Sequence, residues 1–579
     1  MKKSILVSAL MAMSVSLFAA AVPEVPDLGP NVVIFDSSTD AKHIQDKCEQ
    51  IFKEQFANQF GAQRYAILFK PGVYQANLTV GFYTQVAGLG KSPDDVVING
   101  TLATKAFEPN GNVTQNFWRS CENFAAKPAA GTSVTWAVSQ AAPMRRMHIM
   151  SDLRLFIGGW ASGGFMADTK IDGKVVPGSQ QQWLSRNCEW ASWQGGVWNM
   201  AHLGVVNPPV SNGSWDKRFP HTVIDKTPVI AEKPYLRMGD DGALGVFVPQ
   251  QKTETSGYGW QDPKEAGTWL PLDKFHIAQA GKDTAATMNR ALAAGKHLLL
   301  TPGVYTLSEA LVVSKPDTIV LGLGMATLVP DHGTPAVEVA DVDGVKLAGL
   351  LIDAGAKESP YLIQVGAPRS SQRHERNPTY LYDIFCRIGG AGAANAVTAV
   401  IINSHDVVGD HAWIWRADHG EGSGWTASKA KNGLIVNGSH VSYYGLFVEH
   451  FQEYQTLWNG ENGRLVFYQC EIPYDVPSTE AWSHAKSKGW AGYKVADSVL
   501  HHEASAMGIY SFFRDAAVTL DRAIEVPQTD GVHFKNVMTF WLSGKDGSTV
   551  DHVINGTGTA STKTNREVRV LSFPATAGK

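Results

Sequence analysis

Two glutamates, Glu449 and Glu471, stand twenty-two positions apart in a stretch dense with polar and aromatic side chains, Gly445–Tyr454, Leu457–Gly460 and Tyr468–Asp475. If the chain winds in coils of that length, the two carboxylates stack on one wall. Carboxylates so placed cannot both ionise freely, so one pKa rises and a carboxylic acid persists at neutral pH. Protonating a glycosidic oxygen requires such an acid. A solvated acidic ladder has the same spacing, and spacing alone leaves both readings open. Tyr454 and Trp458 could supply flat faces for sugar rings. Far upstream, Ser179-Gln180-Gln181-Gln182-Trp183 with Trp190, Trp193 and Trp198 makes a second constellation. Amides beside indoles suit an uncharged, hydroxyl-rich ligand; glutamine ladders inside a solenoid are the structural alternative.

Other motifs exclude more than they suggest. Gly88-Leu89-Gly90-Lys91-Ser92 lacks the glycine a phosphate loop needs five positions before Gly90, where Gln85 stands. His501-His502-Glu503 and the group His405, Asp406, Asp410, His411 show no metal-loop pattern. They read as turns or substrate-facing polar groups, with no metal and no cofactor expected. A net charge of −4 over 579 residues argues against nucleic acid and against a strongly charged polymer. The five cysteines include no CxxC pair, which excludes a zinc ribbon, and their odd number leaves at least one free thiol in an exported protein.

The elements that must position these residues are visible as a duplication. Pro71-Gly72-Val73-Tyr74 returns in the second half of the chain as Pro302-Gly303-Val304-Tyr305. Each copy follows an amphipathic helix pattern, Ile44, Cys48, Ile51, Phe52, Phe56 in one and Ala285, Met288, Leu292 in the other. Each precedes a strand ending in Gly-Leu-Gly, at Gly88–Gly90 and Gly322–Gly324. Between and beyond them run short β-prone segments, spaced a little under twenty residues apart from about 433 to 468. Sandwiches and barrels turn more often; coil-sized spacing predicts a parallel β-helix. The expected fold is all-β, with two right-handed parallel β-helices side by side, each capped by its opening helix.

Lys2 and Lys3, the apolar run Ile5–Phe18 and Ala19-Ala20-Ala21 read as a signal peptide over 1–21, so the mature chain is expected to be secreted or periplasmic, without membrane insertion. The first module is placed at 22–255, a polar linker at 256–264 and the second module at 265–579. Such a chain buries its own interface and is expected to be monomeric.

Longer stretches resemble glycoside hydrolase family 55, β-1,3-glucanases built from twin β-helices. They include the two PGVY/GLG openings, Asn116–Arg119, Trp136–Pro143, Gln180–Trp183, Gly196–Met200 and Gly409–Gly420. Most specific is a general-acid glutamate with a tyrosine three positions later and a glutamate twenty-two positions earlier, matched by Glu471, Tyr474 and Glu449. The resemblance implies an inverting hydrolase of laminarin-type β-glucan, and exo action is expected because paired β-helices with insertions tend to close a pocket. Glu471 would be the acid, Glu449 its modulator, and Gln180, Gln182 and Tyr474 would hold the attacking water. Trp458, Tyr454, Trp183, Trp198, His450, Asp410 and His411 are the candidate substrate-binding residues. Stacked carboxylates lie nearer the ~5 Å of retaining enzymes than the ~6.5–9.5 Å of inverting ones, so Glu449 is not an inverting base in the usual sense. The family also places a serine twenty-one or twenty-two positions after its second site glutamine; counted from Gln182, that stretch reads Ala201-His202-Leu203-Gly204. Two other functions stay open: a glycan-binding protein without chemistry, which the absent serine favours, and a polysaccharide lyase, disfavoured because Gly445–Asp475 offers only His450 and Arg464 as basic groups.

Overall fold

The computed structural model describes residues 25–209, 215, 220–262 and 265–575; the expected signal peptide lies outside the described residues. The described chain forms two parallel β-helices lying side by side. One is built on sheets of nine and ten strands, the other on sheets of thirteen and nine. Each solenoid opens with its helix. Ala41–Gln55 is capped by Asp40, whose carboxylate accepts from the His43 N–H at 3.1 Å, and turns Ile44, Cys48 and Ile51 into the first core. Ala285–Ala293, capped by Thr284, turns Ala285, Met288 and Leu292 into the second. Phe52 and Phe56 pack on each other, ring centroids 5.4 Å apart, outside that core.

Inside the second solenoid, side chains one coil apart stack in file: Leu350, Ile384, Ala412, Leu446, Tyr468, Met507, Val537. Just before each stands a residue with positive φ, among them Asp383 (50°), His411 (73°), Gly445 (74°) and Phe467 (68°). This corner restarts the in–out alternation of the strand. In Ser442–Glu449, Leu446 and Val448 point into the core, while Phe447 and Glu449 point toward the other solenoid. Glycine accepts such a corner freely, whereas a phenylalanine gives up roughly 1–2 kcal/mol. Keeping the corner at Phe467 lets Tyr468 and Cys470 enter the core and puts Gln469 and Glu471 outside.

The solenoids meet along an apolar seam that joins Phe117, Trp118, Phe165 and Leu184 of the first to Trp413, Trp415, Tyr444 and Phe447 of the second. Set into that seam is a buried ion network. Arg145 bonds Asp383 at 2.7 Å and Asp410 at 2.7 Å; Arg186 bonds Asp410 at 2.8 Å and Glu232 at 2.7 Å; Lys233 reaches Glu122 and Asp383. Burial alone would raise the carboxyl pKa of Asp383, but Arg145 and Lys233 beside it hold it well below the usual range.

The junction differs from the expected linker at 256–264. Residues of 227–271 form two small antiparallel sheets, with Gly267–Pro271 pairing back onto Leu244–Pro249. Trp260 is buried and donates its indole N–H to the Asp168 carbonyl at 2.9 Å. The stretch is also tied to the first solenoid by the Gly259 N–H, which donates to the Asp168 carboxylate, and by the Asn187 amide, which donates to the Gly257 carbonyl at 3.2 Å. The second solenoid's strands begin at Phe275–Ala278. All five cysteines are unpaired and buried.

Removing one partner of a buried ion pair strands the other, a loss of about 3–5 kcal/mol. Arg145→Met should therefore lower the thermal unfolding midpoint clearly, with the far-ultraviolet β signal retained in the folded protein. An unchanged midpoint would contradict a stabilising role for the network.

Candidate active site

At one place along the seam the walls part, leaving a pocket of about 810 Å³. Its lining includes Gln140, Trp160, Ser162 and Trp198 from the first solenoid and Trp413, Trp415, Asp418, Glu449, His450, Glu471, Tyr474 and Phe512 from the second. A volume of this size is typical of small-ligand sites.

Glu449 and Glu471 are direct register partners at the ends of adjacent strands, Ser442–Glu449 and Gly463–Glu471. Their surroundings differ. Glu449 is buried in the pocket wall: one side-chain oxygen accepts from the Gln140 amide at 3.0 Å, the other from the Trp413 indole at 2.8 Å. The Glu471 side chain is 13% exposed to the pocket and accepts from the Tyr474 hydroxyl and from the Gln469 amide at 3.2 Å. Burial raises both pKa values. For Glu449 the charge of Glu471 adds to it, and the group lies well above the usual carboxylate range. Glu471 is raised to about 7, with the Tyr474 hydroxyl opposing and the Asp418 charge assisting. Two carboxyls this close titrate as a unit, and at neutral pH the pair holds a proton.

The groups around them keep that proton in the pair. Burial pushes His450 down to about 4, so its imidazole is neutral, with Nε2 3.9 Å from both Glu471 and Asp418. Burial and then the Glu471 charge push Tyr474 well up, so its hydroxyl stays a donor. The loop carrying Tyr474 is anchored by Arg416, which bonds Asp475 at 2.7 Å and the His450 carbonyl at 3.0 Å.

Of the residues expected from sequence, the structure brings Glu449, Glu471, Tyr474, His450 and Trp198 to this pocket and the others elsewhere. Gln180 accepts from the Gly163 N–H at 2.8 Å and donates to the Val138 carbonyl at 3.0 Å; Gln182 donates to the Ser162 carbonyl at 2.7 Å. Both are buried backbone staples beneath the pocket wall. Trp183 and Trp458 lie in the solenoid interiors, because the in–out alternation of their strands points them inward. Tyr454 bonds Glu525 at 3.2 Å and meets Trp490 edge-on, away from the pocket. Asp410 belongs to the ion network, and His411 lies beneath the site, its Nδ1 2.9 Å from Asp383 and its Nε2 3.1 Å from the Gln140 carbonyl.

The glutamine and serine facing the carboxylates are Gln140 and Ser162. The Ser162 hydroxyl donates to the Gln140 side-chain oxygen at 3.1 Å, and Gln140 donates onward to Glu449. They stand one coil apart, at the same spacing that links Glu449 to Glu471. The glutamine-to-serine spacing sought near Leu203 also occurs from Gln140 to Ser162, and that pair lines the pocket. His202 is buried against His221, their nitrogens 2.9 Å apart. Trp413, which holds Glu449, and Trp415, stacked on it with centroids 4.7 Å apart, lie inside the Gly409–Gly420 stretch of the resemblance, which does not mark them as site residues.

Known proteins share this architecture. The family described as LAM55 pectate lyase-like domain matches residues 275–471, from the first strand of the second solenoid to Glu471 itself. An exo-beta-1,3-glucanase of Streptomyces sp. strain SirexAA-E is 47% identical over 95% of this chain and 90% of its own length. The solved structure of sacteLam55A from Streptomyces sp. SirexAA-E superposes with a TM-score of 0.91 at 46% identity, covering 95% of this chain and 99% of that one. A variant of sacteLam55A in complex with glucose matches equally well. The chain belongs to glycoside hydrolase family 55.

Proposed function

We propose that this protein is an exported hydrolase that removes glucose from an end of β-1,3-glucan with inversion at the anomeric carbon. The observation that carries the proposal is the placement of a proton-holding carboxyl and a hydroxyl–amide pair on opposite solenoids across one pocket. Similarity to an exo-beta-1,3-glucanase and to a structure containing glucose supports the choice of sugar.

In this reading Glu471, the carboxyl that reaches the pocket, protonates the departing sugar oxygen as the glycosidic bond breaks. A water held by Ser162 and Gln140 attacks from the first solenoid's side, gaining a bond to carbon and losing a proton. Neither a hydroxyl nor an amide is basic at neutral pH, so that proton ends on the carboxyl pair. Glu449 is joined to Gln140 by a hydrogen bond and lies at the end of that line. The pair gives up one proton on the leaving side and regains one from the water, which resets it each turnover. The donors that Trp413 and Gln140 direct at Glu449 oppose the burial that raises its pKa, and below about pH 7 Glu471 carries a proton of its own to give. Ser162 lines the pocket beside Gln140, which supports a catalytic site over a binder without chemistry.

Glu471 must be protonated to act, so kcat/KM on laminarin should fall as pH rises through about 7. Glu471→Gln should lose about 10²–10⁴ in kcat while still binding laminarin. Full turnover by that variant would remove Glu471 as the acid. Ser162→Ala and Gln140→Leu should each lower kcat by about 10² with KM little changed; a pure rise in KM would reassign them to substrate binding.

A further inference from the structure

We propose that Arg416 and Asp475 form a clamp that holds the Tyr474 hydroxyl on Glu471, and that this clamp sets the pH range in which the enzyme works. The inference rests on the glucanase reading above. It makes both groups positioning residues, since neither carries the proton that is transferred.

Trp415, Glu449 and Glu471 stand in file on successive coils, and the next position along each coil is Arg416, His450 and Ile472. Arg416 is fully buried, and its guanidinium ties these coils together. Its Nε donates to the Ser428 carbonyl at 2.6 Å and its Nη1 to the His450 carbonyl at 3.0 Å. Nη1 and Nη2 donate to the two Asp475 carboxylate oxygens at 3.0 and 2.7 Å. A two-pronged pair of this kind fixes direction as well as distance. It closes on the residue directly after Tyr474, in the turn that follows Gly463–Glu471. On the other side the Arg514 N–H donates to the Tyr474 carbonyl at 2.9 Å. The phenol ring lies against His450 and Phe512, centroids 4.4 and 4.9 Å away, and its hydroxyl donates to Glu471.

A buried cation near a carboxyl ordinarily favours its ionised form. Here Asp475 pairs the Arg416 charge, so the clamp acts on Glu471 through the place it gives Tyr474. A hydroxyl that donates to a carboxylate stabilises the charged form, and Tyr474 in this way opposes the burial that raises Glu471. The Gln469 amide assists at 3.2 Å. The other groups around that carboxyl do not. Asp418, bonded to His419 at 2.9 Å, adds a charge that raises Glu471, and Glu449 shares the pair's proton. His450 is neutral, and burial keeps the phenol of Tyr510, the register partner on the next coil, protonated. Behind Tyr510, Arg569 pairs with Glu567, while Arg514 turns to Asp515 at 2.7 Å. Across the seam Gln140 and Ser162 carry no charge.

The test follows kcat/KM on laminarin against pH for the wild type, Asp475→Ala, Asp475→Asn, Tyr474→Phe and the double variant Asp475→Ala with Tyr474→Phe. Glu471 acts while protonated, so losing the Tyr474 donor moves the fall in kcat/KM to higher pH. From about 7 in the wild type, Asp475→Ala and Tyr474→Phe should each shift that fall upward by about one pH unit. The double variant should shift it no further than either alone. Asp475→Asn, which keeps one acceptor for Arg416, should shift it less. A fall that stays at the wild-type pH in Asp475→Ala, whatever happens to its kcat or unfolding midpoint, overturns the clamp, and so do additive shifts in the double variant. Should the alanine variant not fold, an unmoved fall in Asp475→Asn overturns the clamp by itself. A wild type that releases no glucose from laminarin overturns the glucanase reading, and the clamp with it.

Discussion

The site depends on a buried ion network that fixes how the two solenoids dock. Arg145, Arg186 and Lys233 come from the first solenoid and the segment that follows it, and Asp383 and Asp410 from the second. An apolar seam can slide by a residue at modest cost; a buried charge that loses its partner cannot. Five residues before Arg145 stands Gln140, whose carbonyl meets His411 and whose amide meets Glu449. One short segment, 140–145, thus grips three successive coils of the other solenoid. The grip that sets the register of the interface also delivers the amide to the carboxylate.

From that register the chemistry follows. A parallel β-helix places outward side chains of adjacent coils in contact, which brings Glu449 and Glu471 together and makes one proton cheap to keep. The same geometry forbids a single solenoid from facing itself. In the proposed mechanism the groups that address the opposite face of the sugar come from a second wall, where Gln140 and Ser162 stand in the same coil-to-coil file. The corner residues with positive φ matter because they decide which side chains of each strand point across the seam.

Much of this is legible in the sequence. The duplicated helix–strand–turn opening announces two modules, and the distance from Glu449 to Glu471 announces a stacked carboxyl pair because coil length converts sequence distance into contact. The same spacing joins Gln140 to Ser162, so that pair is present in the sequence too, two coils from the richer glutamine run at Gln180–Gln182, where the Gln180 and Gln182 side chains bond backbone groups. Trp183 and Trp458 mislead because composition does not say which side of a strand faces inward once a corner has restarted the alternation. Asp410 and His411 are beyond local reading altogether. The partners that bury Asp410, Arg145 and Arg186, lie more than two hundred residues away in the chain.

The central claim is that acid and water address the sugar from opposite solenoids, and the anomeric configuration of the first product tests it most directly. Proton NMR of laminarin hydrolysis, followed from the first minute before mutarotation, should show α-glucose appearing first. Initial β-glucose would contradict the account, because retention requires a carboxylate nucleophile and would give Glu449, not a water on Ser162 and Gln140, the attack on carbon.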